Sequence, residues 1–234
     1  MSSFFELSTA AQYFLFLVLV LVPLAGVVGY FRIRSGKPLR PKRKRYIATI
    51  AMLLTILVVT LAAAWNEGIT LLGSQWGSPL IWLAVAGYMA LLSFRLRAAW
   101  AKLSDERKEK ARRLLPDEPS LMRLWVGVAA LAGISEECAY RGLAYQLLRE
   151  MGLNIALALL VCVVAFAIGH MTQGWRGVLG TFLLALFFHA LVFATHSLYL
   201  AIAFHAAYNL IVGVIAMPIL SEFAKRQALS QAEA

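Results

Sequence analysis

The sequence predicts an all-α polytopic membrane protein with about seven transmembrane helices, seven to eight in all. Hydrophobic residues make up 61% of the 234 residues and charged residues 15%, and the mean hydropathy is +0.75, unlike that of an ordinary soluble domain. Several apolar runs reach the roughly 18–20 residues that span a bilayer. These runs lack the polar faces that helices of a large soluble core would show to water.

Seven apolar segments follow one another along the chain. They cover residues 12–31, 46–65, 80–94, 121–148, 155–170, 177–195 and 198–220. A basic loop (32–45) and a polar loop (66–77) separate the first three. We therefore predict three parts: N-terminal spans one to three with a basic cytoplasmic connector (1–120), a helical core (121–220) and a cytoplasmic tail (221–234).

The distribution of basic residues predicts the orientation. Twenty of the 22 Lys and Arg residues lie in the loop 32–45, in the stretch 95–123, beside the sixth segment at Arg176 and in the C-terminal tail. With seven spans these places fall on one side of the membrane, which the positive-inside rule identifies as the cytoplasm. We therefore predict an N-terminus outside and a cytoplasmic C-terminus. The net charge of +10 then indicates a lipid membrane as partner and no nucleic acid.

The connector between segments three and four is mainly basic. Glu106 and Lys110 are spaced i,i+4, and so are Glu109 and Arg113, which favours a helix. Two prolines end this stretch before segment four. We predict a short helix at the cytoplasmic membrane surface.

Segment four carries two adjacent carboxylates and the guanidinium of Arg141 well inside an apolar run, which marks it as a candidate functional site. Glu137 and Arg141 are spaced i,i+4 with the acid first, so we predict an internal ion pair. Glu136 has no basic residue at i+3 or i+4, and an unpaired carboxylate in an apolar setting suits a general base or acid. Both glutamates could instead only hold helices together. Arg141 is the only basic partner we expect there, and one Arg cannot neutralise two acids.

Two other segments carry polar residues. His170 ends segment five, and His205 and Asn209 share one face of segment seven. Three helices thus offer a carboxylate, an imidazole, and an imidazole with an amide, which are groups that hydrolytic enzymes use. His189 lies among aromatic residues and His196 lies in a short loop, and we predict a non-catalytic role for both.

Helix geometry adds two expectations. The small residues Ala129 and Gly133 are spaced i,i+4, which would let another helix approach segment four closely. Glu136 lies roughly 20 Å along its segment, whereas His170 lies at the cytoplasmic end of its own. These depths would not coincide in straight, upright helices, so we expect tilted or irregular helices around a cavity open to the cytoplasm.

Three short motifs follow one another on successive apolar segments. The motifs are Glu136-Glu137-xxx-Arg141, Phe166-xxx-His170 and His205-xxx-Asn209. In this order they resemble the CPBP (Abi) family of intramembrane proteases, which includes the type II CAAX prenyl endopeptidases and bacteriocin-processing or self-immunity proteins. The resemblance covers about residues 121–218. One departure is His196, which stands where family members often have a glycine.

The resemblance implies an intramembrane glutamic endopeptidase with residues 121–220 as its catalytic core. The residues matching Glu136 and His170 would activate a water, those matching His205 and Asn209 would stabilise the oxyanion, and the second Glu and the Arg of the first motif would support the site. The implied substrate is a peptide or protein, CAAX-type or bacteriocin-like, that enters from the cytoplasm or the bilayer. The implied location is the plasma membrane of a bacterium or archaeon, and no cofactor is implied.

Three alternatives stay open. Glu136, His170 and His205 form a His₂Glu set of the kind that binds zinc, although Asn209 is a poor zinc ligand and the sequence has no HExxH motif. A non-catalytic membrane scaffold or immunity protein would use the same fold to bind a partner. A small-solute or proton pathway is the third alternative, although the segments show no repeated half-domains.

Overall fold

A computed structural model describes residues 4–72 and 76–232. Within these ranges every regular element is helical and no strand is present. The helices are α1 (Thr9–Arg34), α2 (Lys42–Asn66), α3 (Pro79–Ala101), α4 (Asp105–Arg112), α5 (Pro119–Glu137), α6 (Tyr145–Glu150), α7 (Ile155–Gly169), α8 (Trp175–Thr195) and α9 (Tyr199–Ala232). Short 3₁₀ turns cover Phe4–Glu6 and Met171–Gln173, and a π-helical segment, Cys138–Ala144, joins α5 to α6. Residues 73–75 of the predicted loop and 233–234 of the predicted tail lie outside the described residues.

Five of the described helices, α1, α2, α3, α8 and α9, are long and apolar enough to cross a membrane. The all-α class is therefore confirmed for the described residues. Two predicted spans do not appear among these five. Helix α7 has 15 residues and is about 22 Å long, and the predicted span 121–148 contains Arg123 and the charged motif. The number of spans and the side of each terminus stay predictions.

The connector forms helix α4, as predicted, and both expected ion pairs are present. Lys110 Nζ lies 2.6 Å from Glu106 Oε1, and Arg113 Nε lies 3.9 Å from Glu109 Oε1. The hydrogen bond from Lys110 lowers the pKa of the Glu106 carboxyl. Helix α3 continues to Ala101, so the predicted connector begins inside that helix. The position of α4 at the membrane surface stays a prediction.

Helix α1 packs against the segment that carries the charges. It contains a π turn over Leu17–Leu21, and the Val18 carbonyl in this turn accepts a hydrogen bond from the Tyr140 hydroxyl at 2.9 Å. A π turn disturbs the ordinary backbone ladder, which lets a carbonyl accept a side-chain donor. Tyr140 is buried, and its ring packs edge-on against Phe166 at 5.1 Å. The N-terminal half, which carries no motif, thus supports the core.

His196 ends α8 in the left-handed conformation, with φ 50° and ψ 31°. Among the described residues other than glycine, no other has a positive φ. A Cβ makes this conformation unfavourable by about 1–2 kcal/mol, because it approaches the following carbonyl oxygen. The position where the sequence departs from the CPBP pattern is therefore one that glycine fits without strain.

We expect His196→Gly to stabilise the protein by about 0.5–1 kcal/mol, the relief of strain less the added freedom of the unfolded chain. Turnover should be unchanged, because the exposed His196 is predicted to be non-catalytic. Thermal unfolding in detergent measures the effect. His196→Ala is the control, since it keeps the Cβ and should bring no gain; equal melting of the two variants would contradict the expectation.

Candidate active site

An irregular stretch positions the charged residues. Helix α5 ends at Glu137, and the π-helical segment Cys138–Ala144 follows directly. Such segments occur frequently at functional sites, because the wider turn changes where side chains point. Arg141 lies in this segment and donates from Nη1 to Glu137 Oε1 at 3.2 Å. Both side chains are fully buried, so the predicted internal ion pair is present.

Glu137 has a second partner that the sequence did not reveal. His205 on α9 donates from Nδ1 to the same oxygen, Oε1, at 2.8 Å. The expectation that Arg141 is the only basic partner in the apolar helices is therefore wrong. Arg141, Glu137 and His205 form one chain of polar contacts. The other ring nitrogen of His205, Nε2, lies 3.7 Å from Oε2 of Glu136, which is beyond hydrogen-bonding distance.

Glu136 is the most accessible member of this cluster. Its side chain is 14% exposed, whereas that of Glu137 is fully buried. Oε2 of Glu136 has no hydrogen-bond partner among the described residues. A buried carboxylate oxygen without a donor is costly, and it is a strong acceptor for a water or a substrate group.

The ring of Phe166 connects α7 to the cluster. Its centroid lies 4.6 Å from that of His170 and 6.2 Å from that of His205. The guanidinium carbon of Arg141 lies 4.5 Å from the same centroid. The three motifs therefore meet around one aromatic ring. Helix α7 is short and ends at Gly169. His170 can therefore lie near the charges of segment four, which we did not expect of straight, upright helices.

His170 follows the end of α7 in a defined orientation. Its Nδ1 lies 2.8 Å from the Phe166 carbonyl oxygen, which can only accept, so Nδ1 carries a proton. In the neutral ring Nε2 is then an acceptor, which is the form that a base requires. Gly26 of α1 packs here, and a Cβ on it would lie 2.6 Å from the Gly169 carbonyl oxygen. Helix α1 therefore fixes the end of α7.

Asn209 is half-buried and lies one helical turn beyond His205 on α9. Trp125 of α5 donates from Nε1 to the Asn209 backbone carbonyl at 2.9 Å. This bond holds the part of α9 that carries the third motif against α5. The role of the Asn209 side chain stays a prediction.

The close approach of α9 to α5 depends on Gly133. A Cβ there would lie 2.8 Å from the Ile202 carbonyl oxygen and 2.9 Å from the Ala206 backbone nitrogen. Backbone atoms cannot move aside as the end of a side chain can. The predicted close approach at Gly133 is confirmed, and the approaching helix is the one that carries His205.

We expect Gly133→Ala to separate α9 from α5. The free energy of unfolding should fall by about 1–3 kcal/mol, and turnover should fall on the order of 10²-fold, because His205 would move with its neighbour Ala206. Gly127→Ala on the same helix is the matched control. Its Cβ would meet Ile50 Cδ1 at 3.5 Å, an ordinary contact, so no loss is expected. Thermal unfolding and turnover measure both variants, and equal behaviour would contradict this role of Gly133.

The other two histidines have different surroundings. His189 is 1% exposed and donates from Nδ1 to the Ala185 carbonyl at 3.1 Å. The same carbonyl accepts from Nη2 of Arg141 at 3.4 Å, so His189 lies beside the cluster. His196 is exposed in its loop. Their non-catalytic role stays a prediction.

The described residues do not fit a zinc site. Within 4–72 and 76–232, no group of three or more His, Cys, Asp or Glu side chains is arranged to hold a metal ion. Cys138 and Cys162 are both buried and free. The reaction proposed below accordingly uses the chain's own groups, and chelation tests the zinc alternative.

A helical membrane protein with carboxylates and imidazoles gathered between its helices has the features of an intramembrane hydrolase. Residues 118–211 match the family model described as type II CAAX prenyl endopeptidase Rce1-like. This match covers less than half of the chain but includes all three motifs, and it confirms the resemblance to the CPBP proteases. No curated protein and no solved structure gives a significant match.

Proposed function

We propose that this protein is a glutamate-dependent intramembrane endopeptidase with residues 121–220 as its catalytic core. The observation that carries the proposal is the environment of one imidazole. Glu137 holds Nδ1 of His205 at 2.8 Å, while Glu136 faces Nε2 at 3.7 Å. A carboxylate-anchored imidazole beside a more accessible carboxylate places a hydrogen-bonding group for an oxyanion next to a base, and hydrolysis of a peptide bond requires both. The match to a protease family supports the same reaction class.

The hydrogen bonds of the cluster support a division of roles. Glu137 accepts from both Arg141 and His205, whereas Oε2 of Glu136 has no partner among the described residues. Glu136 is therefore the carboxylate that is free to accept a proton. We assign water activation to Glu136 with His170 and stabilisation of the oxyanion to His205 with Asn209, as the resemblance to the CPBP proteases implies.

In the proposed reaction, Glu136 and His170 hold a water, and Glu136 takes one of its protons as the oxygen attacks the carbonyl carbon of the scissile bond. The carbonyl oxygen becomes an oxyanion, which accepts hydrogen bonds from His205 Nε2 and the Asn209 side-chain amide. The C–N bond then breaks, and the proton held by Glu136 passes to the leaving nitrogen. One water is consumed, and a new carboxyl terminus and a new amino terminus form. Glu137 and Arg141 support the site by orienting and balancing His205.

The proposed substrate is a peptide or protein, CAAX-type or bacteriocin-like, that enters from the cytoplasm or the bilayer. The family description names prenylated CAAX ends, and the cluster lies among apolar helices, which suits a lipid-linked or hydrophobic chain. We also propose the plasma membrane of a bacterium or archaeon as the location, and no cofactor.

Cleavage of a peptide panel by the purified protein in lipid vesicles tests this function. The panel contains a farnesylated CAAX peptide, the same peptide without the lipid, and an unrelated hydrophobic peptide. Hydrolysis in isotope-labelled water should place the heavy oxygen at a new carboxyl terminus, and Glu136→Gln should form no such product. Turnover by that variant at the wild-type rate would refute the glutamate mechanism. Activity lost on chelation and restored by zinc would favour the metalloprotease, and partner binding without cleavage would favour the scaffold.

A further inference from the structure

Helix α8 contributes to the cluster although it carries none of the three motifs. Its Ala185 carbonyl accepts from Arg141 Nη2, and Phe188 follows almost one turn later. Phe188 is fully buried. The centroid of its ring lies 5.1 Å from the His205 ring and 5.4 Å from the Arg141 guanidinium carbon.

Phe166 and Phe188 contact the same two groups in different geometries. Phe166 meets the His205 ring edge-on, with 83° between the planes. Phe188 is stacked on it, with 22° between the planes. A stacked ring resists rotation of its neighbour about the Cβ–Cγ bond, because rotation would drive the imidazole edge into the phenyl face.

The plane of the His205 ring determines both of its polar contacts. Nδ1 and Nε2 flank Cε1 and point in different directions within the ring plane, one 2.8 Å from Glu137 and the other 3.7 Å from Glu136. A turn of the ring would break the first contact and direct Nε2 away from the second carboxylate. Support from the face of the ring is therefore needed, and Phe188 lies at that face.

We propose that Phe188 is a positioning residue that holds the imidazole plane of His205 between the two glutamates. Because Phe188 is fully buried, it acts through His205 and not on the substrate. The effect on turnover rests on the proposed function, whereas the ring orientation can be measured in the resting protein.

Phe188→Leu is the principal test, because it keeps an apolar side chain and removes the aromatic face. We expect kcat to fall on the order of 10- to 100-fold, with KM within about twofold of wild type. Phe188→Met, which fills the space with a flexible chain, should show the same loss and serves if the leucine variant does not fold. Phe188→Tyr keeps the ring and should retain more kcat than either.

Phe14→Leu is the matched control for loss of packing. Phe14 is also fully buried, and it lies on α1 in a different hydrophobic cluster from Phe188. This variant should lose stability comparable to Phe188→Leu while keeping kcat near that of wild type. Equal losses of kcat in the two leucine variants would overturn the proposal.

Nitrogen NMR of histidine-labelled protein gives a readout that needs no turnover. The His205 signals are assigned by their loss in His205→Gln. Wild type and Phe14→Leu should show one hydrogen-bonded Nδ1 environment, which Phe188→Leu and Phe188→Met should shift or broaden. An unchanged His205 signal in both Phe188 variants would overturn the proposal. Altered signals in a protein that cleaves no peptide would support the positioning role and refute the proposed protease function.

Discussion

Glu136→Gln is expected to lower kcat by about 10²- to 10⁴-fold. The amide matches the carboxylate in size but cannot take the proton of a water. KM should change little, because the proposed partner of Glu136 is the water and not the peptide. Since Oε2 has no partner among the described residues, the neutral side chain should leave the melting temperature equal to or above that of wild type. Turnover and thermal unfolding of the same preparation give both values.

Glu137→Gln makes the same chemical change one residue further along. Oε1 of Glu137 accepts from Arg141 and from His205, so an amide there would leave both groups without their anion. This variant should lose both turnover and stability, whereas Glu136→Gln should lose turnover only. If both variants lost stability equally, Glu136 would be a structural residue and the proposed base would be wrong.

Features within one helix could be predicted from spacing. The Glu137–Arg141 pair and the helix around Glu106–Lys110 follow from the i,i+4 rule, because helical periodicity alone brings these side chains together. The close approach at Gly133 follows from the absence of a Cβ. The sequence could not show which helix approaches it.

Features that join distant helices could not be predicted in this way. His205 is 68 residues from Glu137, and motif spacing does not show which ring nitrogen meets which carboxylate. Phe188 resembles its apolar neighbours in the sequence, and only its stacking on His205 distinguishes it. The predicted segment 155–170 coincides with α7, and the number of spans stays a prediction. No side-chain pattern that we recognised predicted the π segment after Glu137.

Arg141→Met is expected to lower the free energy of unfolding by about 3–5 kcal/mol, the largest loss of stability predicted for a single change. Arg141 is 3% exposed, and its guanidinium lies over the rings of Phe166 and Phe188 while it donates to Glu137. Methionine fills the volume of the aliphatic stem. It leaves Glu137 as a buried carboxylate with His205 as its remaining partner, so the cost comes from an unbalanced charge and not from a cavity.

Arg226→Met is the matched control, because Arg226 also follows a glutamate, Glu222, at i,i+4 with a distance of 3.0 Å. Both side chains are exposed there, so the expected loss is about 0–1 kcal/mol.

The double variant Glu137→Gln/Arg141→Met removes both charges and should regain most of the stability lost in Arg141→Met. It should stay inactive, because His205 has lost the carboxylate that orients it. Equilibrium unfolding in mixed micelles, measured with turnover, separates these effects. A double variant as unstable as Arg141→Met would mean that packing of the guanidinium between the two rings, and not charge balance, holds the site together.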